Sequence, residues 1–577
     1  MKTKIKQIQQ IVSLLKQYEI RHLVLSPGTR HVPLVHIVEM DPFFQCYSVV
    51  DERSAAYFAL GLAEAIDKPV AFACTSATAS CNYMPAIKEA SERNIQLIAL
   101  TSDKARYHRF HGVSQVIDQV DMYTPYCRYS VDLPDVHTPQ DEWYCNRCLN
   151  EALMAVNHHG KGPVQINFLE PLDIDELALF YDGEMPVCRK IERIDNWDFI
   201  DIWKEKLIKK NRILVVCGQY QETTGKLKSL IKEFHKRYNC VVSYDNFSNV
   251  ADDEFVQTTL LSVTLNKDEV KKLKPDLIIT YGTKFFADVV SRFKNMGIEH
   301  WDINREGRIF DTSQTLSAVF ETTPEDFFEK MSVNSSTNNL KYNELWKRAN
   351  ASRDNSINEF TNYFVVKKVL ELLPNNSNVH ASVLNSMKFT NLSSLPCNTI
   401  ATGNNCADGI DGALSTFIGQ SNVLKGLSLL VIGDLSYLYD LNASIYPFSS
   451  NVRILLVNNQ AGSEFHFNIG TKKISTLDKH IAAGHQTIIK DALGLTNLRY
   501  LSAHNKDELE MQLKEFLGKS EEPILMEVFT NPVIDGSSLR AFYHKNFKRT
   551  PSRFIAGMVN KMFGYKVKFA LKKLLYD

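Results

Sequence analysis

Residues 428–434, Ser-Leu-Leu-Val-Ile-Gly-Asp, form an apolar run of strand length that ends in a glycine and a carboxylate, Asp434. Residues 452–459, Val-Arg-Ile-Leu-Leu-Val-Asn-Asn, repeat the pattern and end in an amide, Asn459, which follows Asp434 by 25 residues. Nearly continuous apolar runs are typical of strands buried on both faces, as in parallel sheets. Since ligands bind beyond the carboxyl ends of such strands, the two segments predict a parallel α/β domain with a polar site at one edge.

Runs of the same kind recur along the chain and predict two further sheets. In the first third they alternate with helical patterns, such as the one in residues 54–66. The other strand candidates are residues 22–28, 69–76, 95–103 and 163–171 in a first group, 212–218, 239–245, 275–282 and 297–304 in a second, and 378–382, 398–403 and 523–529 in a third. The predicted fold class is therefore α/β, with three doubly wound parallel-sheet domains in series.

A chain of 577 residues is too long for one hydrophobic core, which agrees with several domains. We predict a first α/β domain over residues 1–180, a middle one over 181–335, a third over 345–531 and an extension over 532–577. The serine- and asparagine-rich stretch before residue 345 is interpreted as a linker.

The composition is that of an ordinary globular protein and excludes several classes of function. Lysine plus arginine equals aspartate plus glutamate at 66 each, so net charge predicts no nucleic-acid partner. No apolar run approaches the roughly 20 residues that span a bilayer, and the scattered cysteines suit a reducing, cytoplasmic location. Cys145 and Cys148 have CxxC spacing, but without a second pair we interpret them as buried thiols on a helix.

The strand ends around Asp434 and Asn459 offer the oxygen ligands that Mg²⁺ prefers. A carboxylate, an amide oxygen and a backbone carbonyl on adjacent strands form a hard site of the kind that Mg²⁺ shares with phosphates. A glycine-aspartate pair alone more often marks a structural turn. The two pairs at this spacing, in the last of three α/β units, favour the metal site.

At this point the sequence resembles a known group of enzymes. GDLSYLYDLNA (433–443) followed by LLVNNQAG (455–462) resembles the diphosphate- and Mg²⁺-binding motif of thiamine-diphosphate enzymes. More specific segments resemble, in order, the MenD family of menaquinone biosynthesis, the 2-succinyl-5-enolpyruvyl-6-hydroxy-3-cyclohexene-1-carboxylate synthases. They are LVLSPGTRHVPLV (23–35), DERSAAYFALGLAEA (51–65), CTSATASCNYMPAIKEA (74–90), LTSDKARYH (100–108), GVSQVIDQVDMY (112–123) and GIDGALSTFIG (409–419). The likeness extends to about residue 530 and is faint in the middle domain.

The resemblance implies a thiamine-diphosphate- and Mg²⁺-dependent acyl transferase that decarboxylates a 2-oxo acid and ligates the acyl unit to an acceptor. Glu52 matches the glutamate that hydrogen-bonds the aminopyrimidine of the cofactor and activates it. From the residues alone, the favoured interpretation of Glu52 is a helix N-terminal acid beside Asp51 and Arg53, and the surrounding family match reverses that preference. Gln115 matches a second catalytic residue.

The resemblance also assigns binding residues. The implied metal ligands are Asp434, Asn459 and the carbonyl of Ala461, and the implied cofactor contacts are Glu52, Ile410, Gly433, Asp434, Ser436 and Asn459. The implied substrate contacts are Thr29, Arg30, Lys104, Gln115, Ser386, Lys388, Thr390, Asn405 and Glu464. In the family the two halves of the cofactor bind different subunits, so a homodimer or homotetramer with shared active sites is expected.

Several substrate positions depart from the family. Thr390 and Asn405 stand where arginines are expected, Lys104 replaces another, Asp288 falls at a lysine, and Glu464 replaces an apolar residue. Fewer guanidinium groups and an added carboxylate make the pocket less suited to a dianionic donor. We therefore predict MenD-like chemistry on altered substrates, with acidic side chains able to bind hydroxyl groups. True MenD activity on 2-oxoglutarate and isochorismate, and a non-catalytic cofactor-binding scaffold, are the alternatives.

The C-terminal tail is basic and carries a broken helical stripe. From Arg540 to Asp577 there are ten lysines and arginines and one acidic residue. Such a segment can lie on an anionic membrane surface or pack on a subunit. We predict a possible peripheral membrane contact here.

Overall fold

The computed structural model describes residues 2–3, 5–169, 180–181, 183–220, 224–285, 289–332, 340–404, 406–468 and 474–547. The chain divides into two compact units, Met1–Ile194 with Gly307–Val319 and Asp195–Glu306 with Phe320–Asp577. Three sheets of mainly parallel strands are present, so the predicted α/β fold class is confirmed. The predicted domain boundaries stay a prediction.

The first unit is built on a six-stranded sheet in which every neighbouring pair is parallel. In spatial order its strands are Gln45–Ser48, His22–Leu25, Val70–Cys74, Leu97–Asp103, Val164–Leu169 and Tyr129–Asp132. Its helices are Lys6–Gln17, Val32–Met40, Glu52–Ile66, Thr78–Cys81, Met84–Arg93 and Pro139–Ala155, with a 3₁₀ turn at Arg106–His108. Lys2–Thr3 pairs antiparallel with Phe180–Tyr181. The sheet is buried on both faces, by separate clusters of apolar side chains.

The second unit begins with five neighbouring parallel strands. They are, in spatial order, Val256–Gln257, Val241–Tyr244, Ile213–Cys217, Leu277–Tyr281 and Glu299–Ile303. The helices of this region are Ile200–Ile208, Leu227–Tyr238, Thr259–Thr264, Lys267–Leu273, Pro324–Met331 and Leu340–Ala351, with 3₁₀ turns at Asn246–Ser248 and Val290–Phe293. Two further strands, Leu316–Phe320 and Glu192–Ile194, neighbour one another.

The third sheet also has six parallel strands. They are, in spatial order, Ile400–Gly403, Asn378–Ala381, Ser428–Gly433, Val452–Asn458, Ile524–Phe529 and Arg499–Ala503. Its helices are Asn362–Glu371, Asn385–Leu392, Ala413–Ser421, Asp434–Tyr439, Ser463–Phe467, Lys506–Leu517 and Pro532–Asn546. Short turns of 3₁₀ or π type cover Leu441–Ile445, Leu477–Ile481 and Ile489–Leu495.

The first and third sheets have the same strand order. Numbered along the chain within each domain, both run 2-1-3-4-6-5. The order reverses between strands 1 and 3, and a crevice therefore opens beyond their carboxyl ends. Each crevice receives one group of the predicted site residues.

The strands that the sequence predicted are all present, and most of those that it missed are short or lie at sheet edges; the mostly buried, five-residue strand Leu316–Phe320 was also missed. Gln45–Ser48 and Arg499–Ala503 are edge strands, and half of the side chains in Gln45–Ser48 face water. Such strands lack the continuous apolar run used for the prediction. Cys145 and Cys148 are buried on the helix Pro139–Ala155, as interpreted.

Two features of the second unit bear on the predicted boundaries. The helix Pro532–Asn546 contributes Leu539 and Phe542 to the core of the third sheet, so the predicted boundary at residue 531 precedes an element of that core. The linker interpretation covers residues 333–343, of which 333–339 lie outside the described residues, and the helix Leu340–Ala351 shows that it is wrong for the last four. The rest of the tail, residues 548–577, also lies outside the described residues. Within the part of the chain that the structure describes, no helix is long and apolar enough to cross a membrane.

A buried ionic network closes one end of the first sheet. Arg109 lies between Asp103, at a nitrogen–oxygen distance of 2.8 Å, and Asp132, at 3.3 Å. Asn167 donates to both carboxylates, at 3.2 and 2.8 Å. The exposed Arg106 pairs only with Asp132, at 3.0 Å. Arg109 is therefore the cation that compensates the fully buried Asp103.

We expect Arg109→Met to destabilise the first unit by about 3–5 kcal/mol, because it leaves the fully buried Asp103 without its cation. Arg106→Met should cost less than about 1 kcal/mol, because that side chain is 54% exposed. Denaturant unfolding of both variants tests this. Equal losses would show that the network does not depend on Arg109.

Candidate active site

The cavity of the third domain lies at the crevice between strands Asn378–Ala381 and Ser428–Gly433. Strand ends and the helices that follow them supply its walls. Eight of its lining residues are ones that the sequence analysis assigned to cofactor, metal or substrate: Ser386, Ile410, Gly433, Asp434, Ser436, Asn459, Ala461 and Glu464. The structure therefore gathers most of the predicted third-domain residues at one place.

Asp434 begins the short helix Asp434–Tyr439 and is only 3% exposed. Its Oδ1 accepts a hydrogen bond from the Leu435 amide at 2.8 Å. His485 Nε2 lies 3.2 Å from Oδ2, although its geometry does not meet that of a hydrogen bond. The Thr487 amide donates to His485 Nδ1 at 3.1 Å, so in the neutral ring the proton is on Nε2 and faces Asp434.

Asn459 directly follows the strand Val452–Asn458, and its side chain is hydrogen-bonded to Asp535. Its Nδ2 donates to Asp535 Oδ2 at 3.2 Å, and its Oδ1 accepts weakly from the Ala461 amide at 3.4 Å. The pKa of Asp535 is raised to about 6, chiefly by burial and to a smaller extent by the nearby Asp434 carboxylate. Two buried acids thus flank one amide.

At the end of strand Ser428–Gly433, the backbone of Gly433 forms part of the cavity wall. A Cβ added at Gly433 would meet no protein atom within 4 Å, which leaves open space at the cavity. Ser436 Oγ donates to the Ile410 carbonyl at 2.6 Å. This bond fixes the loop that presents Ile410 to the cavity.

These residues fit a divalent cation with a diphosphate. Among the described residues, Asp434 Oδ2 forms no hydrogen bond, because His485 Nε2 lies 3.2 Å away but out of line with it, and a buried oxygen left in this state is costly unless a ligand pairs with it. Carboxylate, amide and carbonyl oxygens are hard ligands that suit Mg²⁺. The open space at Gly433 leaves room for an anion beside them.

Lys388 and Glu464 form an ion pair beside the cavity, which Glu464 lines. Lys388 Nζ lies 2.6 Å from Glu464 Oε2, and the two side chains are 17% and 22% exposed. Nζ also donates to Asn385 Oδ1 at 3.3 Å, and Asn385 in turn donates to Ser463 Oγ at 3.0 Å. The charge of Lys388 is therefore largely cancelled by its partner.

The other third-domain substrate positions differ in accessibility. Ser386 lines the cavity, and its hydroxyl accepts from Ser382 Oγ at 3.0 Å. Thr390 is fully buried, and its hydroxyl donates to the Ser386 carbonyl at 2.8 Å. Since that hydroxyl is satisfied within its own helix, nothing in the structure supports a substrate contact by Thr390. Asn405 and Asp288 lie outside the described residues.

In the first unit, Glu52 lies in the first turn of helix Glu52–Ile66. The capping role belongs to its neighbour Asp51, which accepts from the Ser54 amide at 2.7 Å. Glu52 Oε2 instead accepts from Asn82 Nδ2 at 3.4 Å. Glu52 is therefore not the helix cap, but it lies in the first turn, where the helix dipole favours an acid, so its catalytic role stays a prediction.

The first-domain substrate residues cluster around two cations. Burial and the nearby Arg30 guanidinium both lower the pKa of the Lys104 ammonium. Lys104 Nζ donates to the Ser114 carbonyl at 2.7 Å, next to Gln115, whose own carbonyl accepts from Ser76 Oγ at 3.1 Å. Arg30 Nε is buried without an acceptor among the described residues. Two neighbouring cations with unused capacity favour an anionic ligand.

The loop that carries Thr29 and Arg30 is positioned by buried contacts. A Cβ at Gly28 would lie 2.4 Å from Thr75 Cβ, so only glycine allows the loops after strands 1 and 3 to approach this closely. His31 Nε2 bonds the Ser26 carbonyl at 2.8 Å. Burial lowers the pKa of His31 to about 4, so the ring is neutral and donates through Nε2. Thr29 itself is exposed.

Comparison with known proteins tests the resemblance noted in the sequence analysis. Residues 5–122 match the family described as thiamine pyrophosphate enzyme, N-terminal TPP binding domain. A 2-succinyl-5-enolpyruvyl-6-hydroxy-3-cyclohexene-1-carboxylate synthase of Bacteroides fragilis is 33% identical over 94% of this chain and 99% of its own length. Relatives of the same name from Bacteroides thetaiotaomicron and Phocaeicola vulgatus are 31% and 30% identical, over 94% and 93% of this chain and 98% of each relative. The chain belongs to this synthase family.

Family membership confirms the resemblance on which the sequence predictions rest. The chain is a thiamine-diphosphate- and Mg²⁺-dependent enzyme, a 2-oxo acid decarboxylase and carboligase with small-molecule substrates. The non-catalytic scaffold alternative is thereby set aside. The roles of individual residues stay predictions, which the geometry above supports to different degrees.

The sequence analysis missed several polar residues at the two crevices. Asn82 reaches Glu52 in the first unit, while His485 and Asp535 contact Asp434 and Asn459 in the second. Asp535 follows the apolar strand Ile524–Phe529, so its position after a strand end was an available signal. His485 lies in a stretch without periodicity and gave no signal.

We expect Gly433→Ala to fold normally and to weaken thiamine diphosphate binding about tenfold or more. The backbone at Gly433, with φ −84° and ψ 159°, suits alanine, but the new methyl group occupies space at the cavity wall. Quenching of tryptophan fluorescence by the cofactor with Mg²⁺ measures the affinity. Gly419→Ala, which also places its Cβ in open space but on an exposed helix face, is the matched control. Unchanged affinity in Gly433→Ala would remove this residue from the cofactor site.

Proposed function

We propose that this enzyme carries out the decarboxylation and carboligation of its family on a donor with less negative charge than a dianionic 2-oxo acid. When bound, thiamine diphosphate supplies the nucleophilic carbon that accepts the acyl unit of the donor. Asp434, Asn459 and the Ala461 carbonyl would hold the Mg²⁺ that binds its diphosphate. Ile410 would support the cofactor, and Glu52 would hold a proton at its aminopyrimidine ring.

The observation that carries the proposal is the Lys388–Glu464 ion pair. A lone lysine at this cavity would attract the second carboxylate of a dianionic donor. Because Glu464 Oε2 is already 2.6 Å from Nζ, that carboxylate would have to displace Glu464 or lie beside it. Either arrangement costs energy in a partly buried site, whereas a smaller or hydroxylated donor meets no such repulsion.

True MenD activity is the second candidate, and one observation favours it. Arg30 and Lys104 lie close together in the first unit with Arg30 Nε unpaired among the described residues, so carboxylate binding is retained there. The two candidates differ in the charge of the preferred donor.

The proposal also includes a homodimer or homotetramer with shared active sites. Tyr57 and Phe58 support it, since both are more than 40% exposed on the helix that begins with Glu52. Exposed aromatic side chains beside a functional residue are typical of protein interfaces. Membrane-surface contact by the tail concerns residues outside the described ones and stays a prediction.

We expect CO₂ release with thiamine diphosphate and Mg²⁺ to be faster from pyruvate or a hydroxylated 2-oxo acid than from 2-oxoglutarate. Assays with and without isochorismate as acceptor cover both candidates. Glu52→Gln keeps the size of the side chain but cannot act as a carboxylate, so it should abolish release. A clear preference for 2-oxoglutarate, lost in Glu52→Gln, would favour true MenD activity.

We expect Glu464→Leu to shift kcat/KM towards 2-oxoglutarate over pyruvate by about tenfold, or about 1.4 kcal/mol, because it frees the charge of Lys388. Steady-state kinetics with both donors measures the shift.

The double variant Lys388→Met with Glu464→Leu is the matched control, since it removes both charges and should show little preference for either donor. No shift in Glu464→Leu would mean that the ion pair only joins the two helices that carry it.

A further inference from the structure

Asp535 is a buried acid to which no role has been assigned. It lies in the first turn of helix Pro532–Asn546 and is only 2% exposed. Its Oδ1 accepts from the Asn362 amide at 3.0 Å. Its Oδ2 accepts from Thr530 Oγ1 at 2.8 Å and from Asn459 Nδ2 at 3.2 Å. All three bonds present donors to the carboxylate, so its orientation is fixed.

The bond to Asn459 determines which end of that amide is available. An asparagine side chain has one donor end and one acceptor end. Asp535 has only acceptor oxygens when ionised, so it takes the Nδ2 end and leaves Oδ1 for the other side. A divalent cation binds the oxygen of an amide and not its NH₂ group. Asp535 thus favours the one orientation of Asn459 that can bind metal.

Asp535 also adds negative charge behind the same site. Asp434 is close enough to influence it electrostatically, and both acids are nearly excluded from water. A cation between or beside two buried carboxylates is stabilised by both, even if it contacts only one of them. The second carboxylate therefore strengthens metal binding without being a ligand.

We propose that Asp535 is a positioning residue that orients Asn459 for Mg²⁺ and stabilises the bound ion. The proposal rests on the assignment of Asn459 as a metal ligand under the proposed function. Substitution of a residue that hydrogen-bonds a metal ligand typically lowers metal affinity 10- to 100-fold.

Mn²⁺ affinity, measured by electron paramagnetic resonance on the full chain with thiamine diphosphate, tests the proposal without relying on turnover. Asp535→Asn should weaken binding about 10- to 100-fold. Its new amide needs an acceptor, and Asn459 would turn Oδ1 towards it and away from the metal. The exchange Asn459→Asp with Asp535→Asn conserves charge and restores the hydrogen bond in reverse, so it should recover affinity to within a few fold.

A second pair of a buried acid and an asparagine, Glu527 with Asn458, provides a close control, since Asn458 directly precedes Asn459. Glu527 is fully buried and accepts from Asn458 Nδ2 at 2.7 Å, but neither residue lines the cavity. Glu527→Gln should reduce thermal stability and leave Mn²⁺ affinity unchanged.

Two outcomes would overturn the proposal. They are wild-type affinity in Asp535→Asn, or an equal loss in Glu527→Gln, which would indicate a general effect of removing a buried acid. Asn459→Ala separates this failure from that of the metal assignment. If it too leaves Mn²⁺ affinity unchanged, the assignment of Asn459 as a ligand is wrong.

Discussion

Negative charge that is held out of water at the carboxyl end of the third sheet constrains the chemistry of this site. Asp434 and Asp535 are nearly fully buried, and the Asp434 carboxylate contributes to the raised pKa of Asp535. In a medium of low dielectric constant such a pair is costly unless a cation or a proton offsets it. The sheet brings the acids together because two buried strands and the last helix all end or begin at the same edge. Metal affinity and local stability are therefore linked, since a bound metal ion offsets the unfavourable free energy of the two buried carboxylates.

Electrostatics also differs between the two predicted substrate regions. Beside the third sheet Lys388 is paired with Glu464, whereas in the first unit Arg30 and Lys104 lie together. The neighbouring acid Asp103 accepts from the Lys104 amide but forms its ion pair with Arg109. Under the proposed function, selection of a donor by charge would depend on which cations remain unpaired, and the Glu464 carboxylate would alter specificity without moving the backbone.

The sequence predicted the parts of the molecule that depend on local pattern. Buried strands were found because they lack polar residues, and Asp434 and Asn459 because they follow such strands directly. Contacts between segments distant along the chain were not predictable, among them Asp535 with Asn459 and Lys388 with Glu464. Their geometry depends on the angles at which helices leave the sheet. Resemblance to a family supplied Glu52, whose position in a helix turn has no signal of its own.

The first and third sheets share the strand order 2-1-3-4-6-5, although the loops beyond their strand ends carry different residues. The strand order is held by the packing of the core, whereas residues in the loops at the strand ends can change without altering it. The crevice of the first sheet carries Glu52 with the cations Arg30 and Lys104, and that of the third carries two acids and Gly433. One strand topology therefore supplies two crevices of different charge, because the charge depends on the loops and not on the sheet.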